Sequence, residues 1–281
     1  MTPTEIKQLL ERYGLRPVKD RGQNFLLDDS VVKTMADEAS VVAGDNILEV
    51  GPGFGVLTEE LLNRGAQVTA VELDPGLANI LRDRFADRPL KIMEGDFLRF
   101  SLAELTAQLG TSSAGSYKVI ANLPYAITSD ALKKCLTEAP RPHSVTVMVQ
   151  REVAERAVAQ PPDSGLLSIV MRTYGRPKIL LKVPAASFWP APKVDSAVLH
   201  IPLKTSEEIA EQLSGLEPEK FLSAVRQAFT APRKKIQNTL GQKYASEKLT
   251  KAFTAAKISS DLRPERVSFE QWVKLVPHLM R

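Results

Sequence analysis

Cysteine and histidine are scarce in this chain of 281 residues. The single cysteine, Cys135, cannot form a disulfide within the chain, so a reducing compartment such as the cytoplasm is the simplest location. Because Cys135 lies in a helical pattern with Leu132 and Leu136, we interpret it as a small core residue and not as a nucleophile. The histidines are scattered, without carboxylates or cysteines at ligand spacing, and we predict no metal site. They are His143, His200 and His278.

Long hydrophobic runs are also missing. No apolar stretch approaches the roughly 18 residues that a membrane-spanning helix needs, and the first residues lack the apolar core of a signal peptide. We therefore expect a cytoplasmic protein without a membrane partner. The chain is 43% hydrophobic with a formal net charge of +4, which suits a sizeable core and permits a nucleic-acid partner without requiring one.

Short apolar runs alternate with helical patterns through the first half of the chain. Strands are predicted at 46–50, 67–73, 90–93, 117–120 and 145–150. Such alternation indicates a parallel sheet with helices on both faces. Two more runs, 179–183 and 197–201, have no helix between them and predict a closing antiparallel pair. We therefore predict a doubly wound, seven-stranded α/β domain over residues 1–203 and a small all-helical domain over 204–281.

The stretch Asn122-Leu123-Pro124-Tyr125 ends the predicted fourth strand. Pro124 has no N–H for a sheet and favours an extended Leu123, so the strand must stop there. This places an amide and an aromatic ring at the carboxyl edge of the sheet, where ligands bind in open α/β folds. An ordinary turn is the alternative interpretation, because Asn and Pro are common in turns.

A glycine-rich turn follows the first of these strands, with the pattern Glu49-x-Gly51-x-Gly53-x-Gly55. Glycines between a strand and a helix let the backbone approach a nucleotide-like ligand closely. The dinucleotide fingerprint would place its third glycine at position 56, which is Val56. The spacing therefore favours a cofactor without phosphates over the glycines.

Two carboxylates end the next strands. Glu72 could accept hydrogen bonds from ribose hydroxyls, and Asp96 could meet the exocyclic amine of an adenine. Either carboxylate could instead cap the following helix. Polar residues or glycines at four successive strand ends favour a cofactor site.

These motifs resemble those of the ribosomal RNA adenine dimethyltransferases, in particular the small-subunit branch, and the resemblance covers the whole chain. The matching stretches are residues 22–26, 49–55, 71–74, 95–96, 122–125, 188–196, 228–229 and 233–235. Two departures affect expected RNA contacts: the loop 160–165 lacks the family's tyrosine, and Pro232 stands where the basic motif usually begins with two arginines.

The resemblance implies a class I, Rossmann-like methyltransferase that uses S-adenosyl-L-methionine and releases S-adenosyl-L-homocysteine, without a metal. The implied reaction dimethylates the exocyclic amines of two adjacent adenosines in a hairpin loop near the 3′ end of 16S rRNA, during ribosome biogenesis. The implied partner is the small ribosomal subunit, and we expect the protein to be a monomer.

The resemblance also assigns site residues. For catalysis these are Asn122, Leu123, Pro124, Tyr125 and Phe188. For the cofactor they are Gln23, Asn24, Leu26, Gly51, Gly53, Glu72, Leu73, Asp96, Phe97 and Asn122. Basic side chains predicted to contact RNA, partly from their clustering, are Lys19, Arg21, Arg151, Lys193, Arg226, Arg233, Lys234 and Lys235.

We predict that catalysis depends mainly on positioning the adenine amine beside the cofactor. The side-chain oxygen of Asn122 and a backbone carbonyl, of Leu123 or Pro124, would accept the two N–H bonds of the adenine amine. Tyr125 and Phe188 would sandwich a base that has left its stack. We also expect residues 19–27 to be mobile without cofactor.

Three alternatives stay open at this stage. A nicotinamide-dependent dehydrogenase shares the fold class but needs the missing fingerprint glycine. A non-catalytic RNA-binding assembly factor would not need an intact Asn122-to-Tyr125 site. A large-subunit methyltransferase of the antibiotic-resistance branch is the third, and the long helical tail favours the small-subunit branch over it.

Overall fold

The structure is a computed structural model that describes residues 2–14, 24–111 and 113–280. Three predicted site residues lie outside these ranges: Gln23, Lys19 and Arg21. Most of the segment 19–27, which we expect to be mobile, also lies outside them. The chain divides into two compact units, Met1–Ala154 with Lys178–Leu203, and Glu155–Pro177 with Lys204–Arg281.

The first unit contains all the described strands. They are β1 (Phe25–Leu26), β2 (Asn46–Val50), β3 (Gln67–Glu72), β4 (Leu90–Glu94), β5 (Lys118–Asn122), β6 (Ser144–Gln150), β7 (Lys178–Val183), β8 (Phe188–Trp189) and β9 (Ser196–Pro202). Its helices are α1 (Pro3–Arg12), α2 (Asp29–Glu38), α3 (Val56–Asn63), α4 (Pro75–Arg84), α5 (Leu102–Gln108) and α6 (Thr128–Thr137). Short 3-10 turns follow β5 at Tyr125–Ile127 and precede β8 at Ala185–Ser187.

Seven of these strands form one sheet in the order β4-β3-β2-β5-β6-β9-β7. The first five run parallel, and β9 pairs antiparallel with both β6 and β7. The predicted doubly wound sheet with a closing antiparallel pair is therefore confirmed. The strand order reverses between β2 and β5, and a reversal of this kind opens a crevice at the carboxyl ends of the strands.

Local sequence explains where the elements begin. Thr2 and Glu5 form a reciprocal capping box at the start of α1, with Pro3 at the first helical position. Buried apolar side chains on the sheet and on α2 and α3 form the core, including Ile47, Leu61 and Met148. Among the described helices, none is both long and apolar enough to cross a membrane.

The second unit is helical, as predicted, but it starts earlier than the sequence suggests. It holds the second half of α7 (Arg151–Val158) and all of the later helices, which are α8 (Leu166–Tyr174), α9 (Ser206–Gln212), α10 (Pro218–Phe229), α11 (Ile236–Leu240), α12 (Ser246–Ala256) and α13 (Phe269–Met280). Trp272 and Phe221 are buried at its core, each no more than 1% exposed.

The predicted boundary after residue 203 therefore needs a correction, because residues 155–177 belong to the helical unit. The Lys204 N–H donates to the carbonyl of Tyr174 at 2.9 Å, and the Ser164 N–H donates to that of Glu265 at 3.1 Å. These bonds tie the segment containing α8 to residues that follow it by 30 to 101 positions. Sequence periodicity shows each helix but not which later helix it packs against.

Candidate active site

One cavity of about 280 Å³ lies in the first unit, at the crevice where the strand order reverses. It is lined by every described residue that the sequence assigns to cofactor binding or catalysis. These are Asn24, Leu26, Gly51, Gly53, Glu72, Leu73, Asp96, Phe97, Asn122, Leu123, Pro124, Tyr125 and Phe188. The structure thus brings together residues that lie up to 164 positions apart in the chain.

The glycine turn packs too closely for larger residues. Gly51 has a φ of +67°, and a Cβ there would lie 3.3 Å from Cδ of Pro124. Gly55 has a φ of +81°, and its Cβ would come within 2.6 Å of the Phe85 ring. The third glycine of the pattern therefore lets α3 start against α4, while Gly51 brings the turn against the strand end that carries Asn122.

Glu72 is held in one orientation inside the cavity wall. Its carboxylate accepts hydrogen bonds from the Gly53 N–H at 3.2 Å and the Asp74 N–H at 2.9 Å. The side chain is buried, and this burial raises its pKa above the ordinary value despite those N–H donors. A buried carboxylate with lone pairs left for further donors suits vicinal hydroxyl groups.

The neighbouring strand ends combine apolar and acidic groups. Leu73, a large apolar residue, is 58% exposed and lines the cavity. Phe97 lies buried in the same wall. Asp96 uses Oδ1 to accept the Leu98 N–H at 2.9 Å, so part of its role is to hold the turn after β4.

Asn122 has its amide orientation set by a backbone contact. Its Nδ2 donates to the carbonyl of Asn24 at 3.4 Å, which leaves the side-chain oxygen for a donor in the cavity. The carbonyl of Pro124 already accepts the Ile127 N–H at 3.1 Å and the Thr128 hydroxyl at 3.3 Å. Of the two backbone carbonyls considered from the sequence, Leu123 is therefore the better acceptor.

Two aromatic side chains complete this end of the cavity. The Tyr125 hydroxyl shares a hydrogen bond of 2.6 Å with Ser196, and burial raises its pKa above the ordinary value. Phe188 is only 3% exposed, and β8 places it opposite Leu26 of β1 in an antiparallel pair. This pair of short strands joins two predicted site residues that lie far apart in the sequence.

Several cavity residues were not assigned a role from the sequence, among them Glu49, Phe25 and Phe54. Glu49 is 1% exposed and accepts the Thr58 hydroxyl at 2.7 Å. Burial, aided by the charge of Glu72, raises the pKa of Glu49 to about 8. Phe25 and Phe54 pack edge to face with 4.5 Å between their ring centroids. All three residues lie inside the matching stretches 22–26 and 49–55, and that position is the sequence signal that could have identified them.

The predicted RNA-contacting residues are divided between the two units. In the first, Arg151 pairs with Asp195 at 3.0 Å, and Lys193 is exposed. In the second, Arg226 donates twice to Glu219, at 2.6 and 3.0 Å. The remaining three residues, Arg233, Lys234 and Lys235, are contiguous and exposed just before α11, and Lys235 pairs with Asp261 at 2.8 Å. Among the residues described, no cluster of His, Cys, Asp and Glu could hold a metal.

Comparison with known proteins decides the family. The sequence model of the family described as "Ribosomal RNA adenine dimethylase" matches residues 16–280. The chain belongs to the ribosomal RNA adenine dimethylase family. The resemblance that its motifs indicate is thereby confirmed, and so is the predicted enzyme class, a ribosomal RNA adenine methyltransferase.

Curated relatives match along nearly the whole chain, and each of the following is called "Ribosomal RNA small subunit methyltransferase A". The protein from Dehalococcoides mccartyi is 38% identical over 96% of this chain and 91% of its own. That from Moorella thermoacetica is 37% identical over 98% and 96%. That from Deinococcus radiodurans is 38% identical over 95% and 87%.

Solved structures match the fold over about nine-tenths of the chain. The 23S rRNA methyltransferase ErmE is 29% identical with a TM-score of 0.73, over 92% of this chain and 100% of its own. A dimethyladenosine transferase from Plasmodium falciparum, 21% identical, has a TM-score of 0.71 over 89% and 95%. The predicted class I methyltransferase fold is confirmed by these neighbours.

Proposed function

We propose that the chain transfers methyl groups from S-adenosylmethionine to the exocyclic amines of two adjacent adenosines near the 3′ end of small-subunit ribosomal RNA. The product is dimethyladenosine. One observation carries the site assignment: the strand end from Asn122 to Tyr125 borders the same cavity as Gly51 and Glu72. A cofactor over the glycine turn would therefore lie beside the groups that could hold an adenine.

The cavity suits S-adenosylmethionine, a cofactor that carries no phosphate groups. Glu72 accepts the ribose hydroxyls, Leu73 and Phe97 cover the purine, and Asp96 receives the purine amine with the oxygen that does not hold the Leu98 N–H. Gly51 leaves room for the methionine end of the cofactor, and Asn24 and Leu26 line the same cavity. Gln23 is assigned to this end from the sequence alone. When bound, S-adenosylmethionine supplies an electrophilic methyl group and leaves as S-adenosylhomocysteine.

Asn122 and Leu123 orient the substrate amine. An adenine amine is a poor nucleophile, because its lone pair is delocalised into the ring. Acceptance of its two N–H bonds by the Asn122 side-chain oxygen and the Leu123 carbonyl favours a pyramidal nitrogen whose lone pair faces the cofactor. Positioning of this kind can lower a barrier by roughly 7–11 kcal/mol in favourable cases.

Tyr125 and Phe188 hold the base between them. Each aromatic stack contributes about 1–3 kcal/mol, and the Ser196 contact keeps the Tyr125 ring in place. A base can enter only after it leaves its own stack, so a hairpin loop is a better target than a regular duplex. For the second transfer, the monomethylated amine has one N–H left for an acceptor.

The small subunit is preferred as the substrate over the large subunit. The relatives named as small-subunit enzymes are 37–38% identical along nearly the whole chain, while the 23S rRNA methyltransferase is 29% identical. In this proposal the helical unit contributes RNA contacts through Arg226 and residues 233–235, with Lys19, Arg21, Arg151 and Lys193 as further contacts. The enzyme acts as a cytoplasmic monomer during ribosome assembly.

Methyl-group mapping on both ribosomal RNAs tests this proposal. RNA from a strain lacking the gene should lose adenine dimethylation near the 3′ end of the small-subunit RNA and keep large-subunit methylation unchanged. Complementation with Asn122→Ala should not restore the methyl groups. Loss of a large-subunit methyl group instead would assign the chain to the alternative substrate, and unchanged methylation of both RNAs would favour a non-catalytic assembly role.

A further inference from the structure

A basic groove of about 560 Å³ lies in the helical unit, between the end of α8, the last residue of α9 and the first turns of α13. We call it the Lys204 groove. Four cationic side chains line it: Arg172, Arg176, Lys204 and Lys274. One acidic residue, Glu270, lines it as well. None of these residues lies in a sequence motif or in the basic clusters predicted to contact RNA.

Lys204 is the most constrained cation of the groove. Its ammonium group donates to the carbonyl of Arg172 at 2.5 Å and to Oε1 of Gln212, and it lies 5.5 Å from the centre of the Phe269 ring. Burial, together with the charge of Arg176, lowers the pKa of Lys204 to about 8. An anion in the groove would oppose both effects, because it would favour the charged amine.

The acidic neighbours neutralise the groove only in part. Glu208 pairs with Arg176 at 2.7 Å, but 60% of the arginine side chain and 41% of the glutamate side chain are exposed. Exposed pairs of this kind contribute little to stability, so an incoming anion can take the arginine at little cost. Glu270 is held by its own backbone N–H and by the Ser268 hydroxyl at 2.8 Å.

We propose that the Lys204 groove is a phosphate-binding site that takes the backbone of an RNA strand. Arginine presents a planar set of donors that matches phosphate oxygens, and lysine adds a compact charge. Four cations in one groove suit a polyanion, because a single carboxylate would neutralise only one of them. The RNA assignment rests on the proposed function, whereas phosphate recognition rests on the groove alone.

The first test measures the amine of Lys204 directly. Trace acetylation followed by mass spectrometry across pH gives the pKa of this lysine in the full chain, with or without inorganic phosphate or a short single-stranded RNA. Both probes should raise the pKa and reduce labelling at pH 8 at least threefold. Lys220, exposed on α10 outside the groove, is the internal control and should not respond.

The second test separates RNA from free phosphate as the source of the anion. The double variant Arg176→Ala/Lys274→Ala changes two exposed side chains and leaves the hydrogen bonds of Lys204 intact. Its affinity for small-subunit RNA should fall about tenfold at low salt, with a salt slope about 1 smaller than that of the wild type. Lys220→Ala should retain both values, and binding of S-adenosylhomocysteine should be unchanged in both variants.

The outcomes distinguish the two proposals. If phosphate protects Lys204 but the double variant keeps its RNA affinity, the RNA assignment of the groove is wrong. Methylation of small-subunit RNA by the wild type would show that the proposed function still holds. No protection by either probe would overturn the phosphate site itself. If the wild type does not methylate small-subunit RNA, the proposed function fails, and the labelling result alone decides whether the groove binds phosphate.

Discussion

The side-chain nitrogen of Asn122 donates to the backbone carbonyl of Asn24 at 3.4 Å. The two residues are 98 positions apart, and each comes from a motif that the sequence places in the site. The contact decides which way the amide faces, because the nitrogen points to the segment before β1 and the oxygen is left for the substrate. The geometry therefore links the N-terminal motif to the orientation of the adenine amine.

Asn122→Ala should reduce single-turnover methyl transfer at least a thousandfold, because the amine loses the acceptor that orients it. The side chain is only partly buried and makes one long hydrogen bond, so the melting temperature should change by no more than a few degrees. Asn79→Ala, an exposed position on α4, is the matched control. Near-normal turnover of the Asn122 variant would refute the orienting role.

Gly51→Ala should weaken cofactor binding at least tenfold, which is about 1.4 kcal/mol. The added methyl group would lie 3.3 Å from Pro124 and would displace the edge that carries Leu123. Gly110→Ala has the same backbone strain, with a φ of +75°, but no atom within 4 Å of the new Cβ. Calorimetric titration with S-adenosylhomocysteine compares the two; equal losses of affinity would mean that crowding at Gly51 is irrelevant.

Glu49→Gln should stabilise the cofactor-free protein at alkaline pH. The folded-state pKa of Glu49 is raised to about 8, above its unfolded value near 4.5, so the wild type loses free energy of unfolding as the pH rises between these values. The glutamine variant lacks this loss, which amounts to about 3–5 kcal/mol for a shift of this size. Urea unfolding at pH 5 and pH 9 measures it, with exposed Glu11→Gln as control. A parallel pH dependence in the wild type and the Glu49 variant would contradict the burial argument.

His200 should make the first unit sensitive to acid. Burial, together with the charge of Lys178, lowers its folded-state pKa to about 4, below the unfolded value near 6.5. Its stabilising contribution is therefore complete above pH 6.5 and is lost as the pH falls towards 4, by about 3 kcal/mol at most. His200→Gln keeps a polar partner for Thr146, which lies 2.7 Å from the histidine ring, and should flatten this dependence. His278→Gln, on α13 of the second unit, should leave the curve unchanged; if it flattens the curve equally, His200 is not the responsible group.

Much of the fold was predictable, because four of the five parallel strands, β2 to β5, are short apolar runs that end beside a glycine, proline or acidic residue. The ends of β2, β3 and β5 came within one or two residues of the predicted positions. The site residues followed from the same logic, since the carboxyl ends of neighbouring parallel strands meet at one edge.

Long-range packing was not predictable in the same way. The grouping of α8 with the later helices depends on contacts such as that between Lys204 and Tyr174, which leave no periodic signal. The pairing of Leu26 with Phe188 depends on two strands of two residues each, too short to show alternation. The choice of Leu123 over Pro124 as an acceptor required the hydrogen bonds that Pro124 already accepts.

A crystal structure of the protein with S-adenosylhomocysteine tests the central claim most directly. We predict ligand density in the cavity beside Gly51, with the ribose hydroxyls bonded to Glu72 and the sulfur facing Asn122. Density elsewhere on the protein, with this cavity empty at a saturating concentration of ligand, would contradict the assignment of the site.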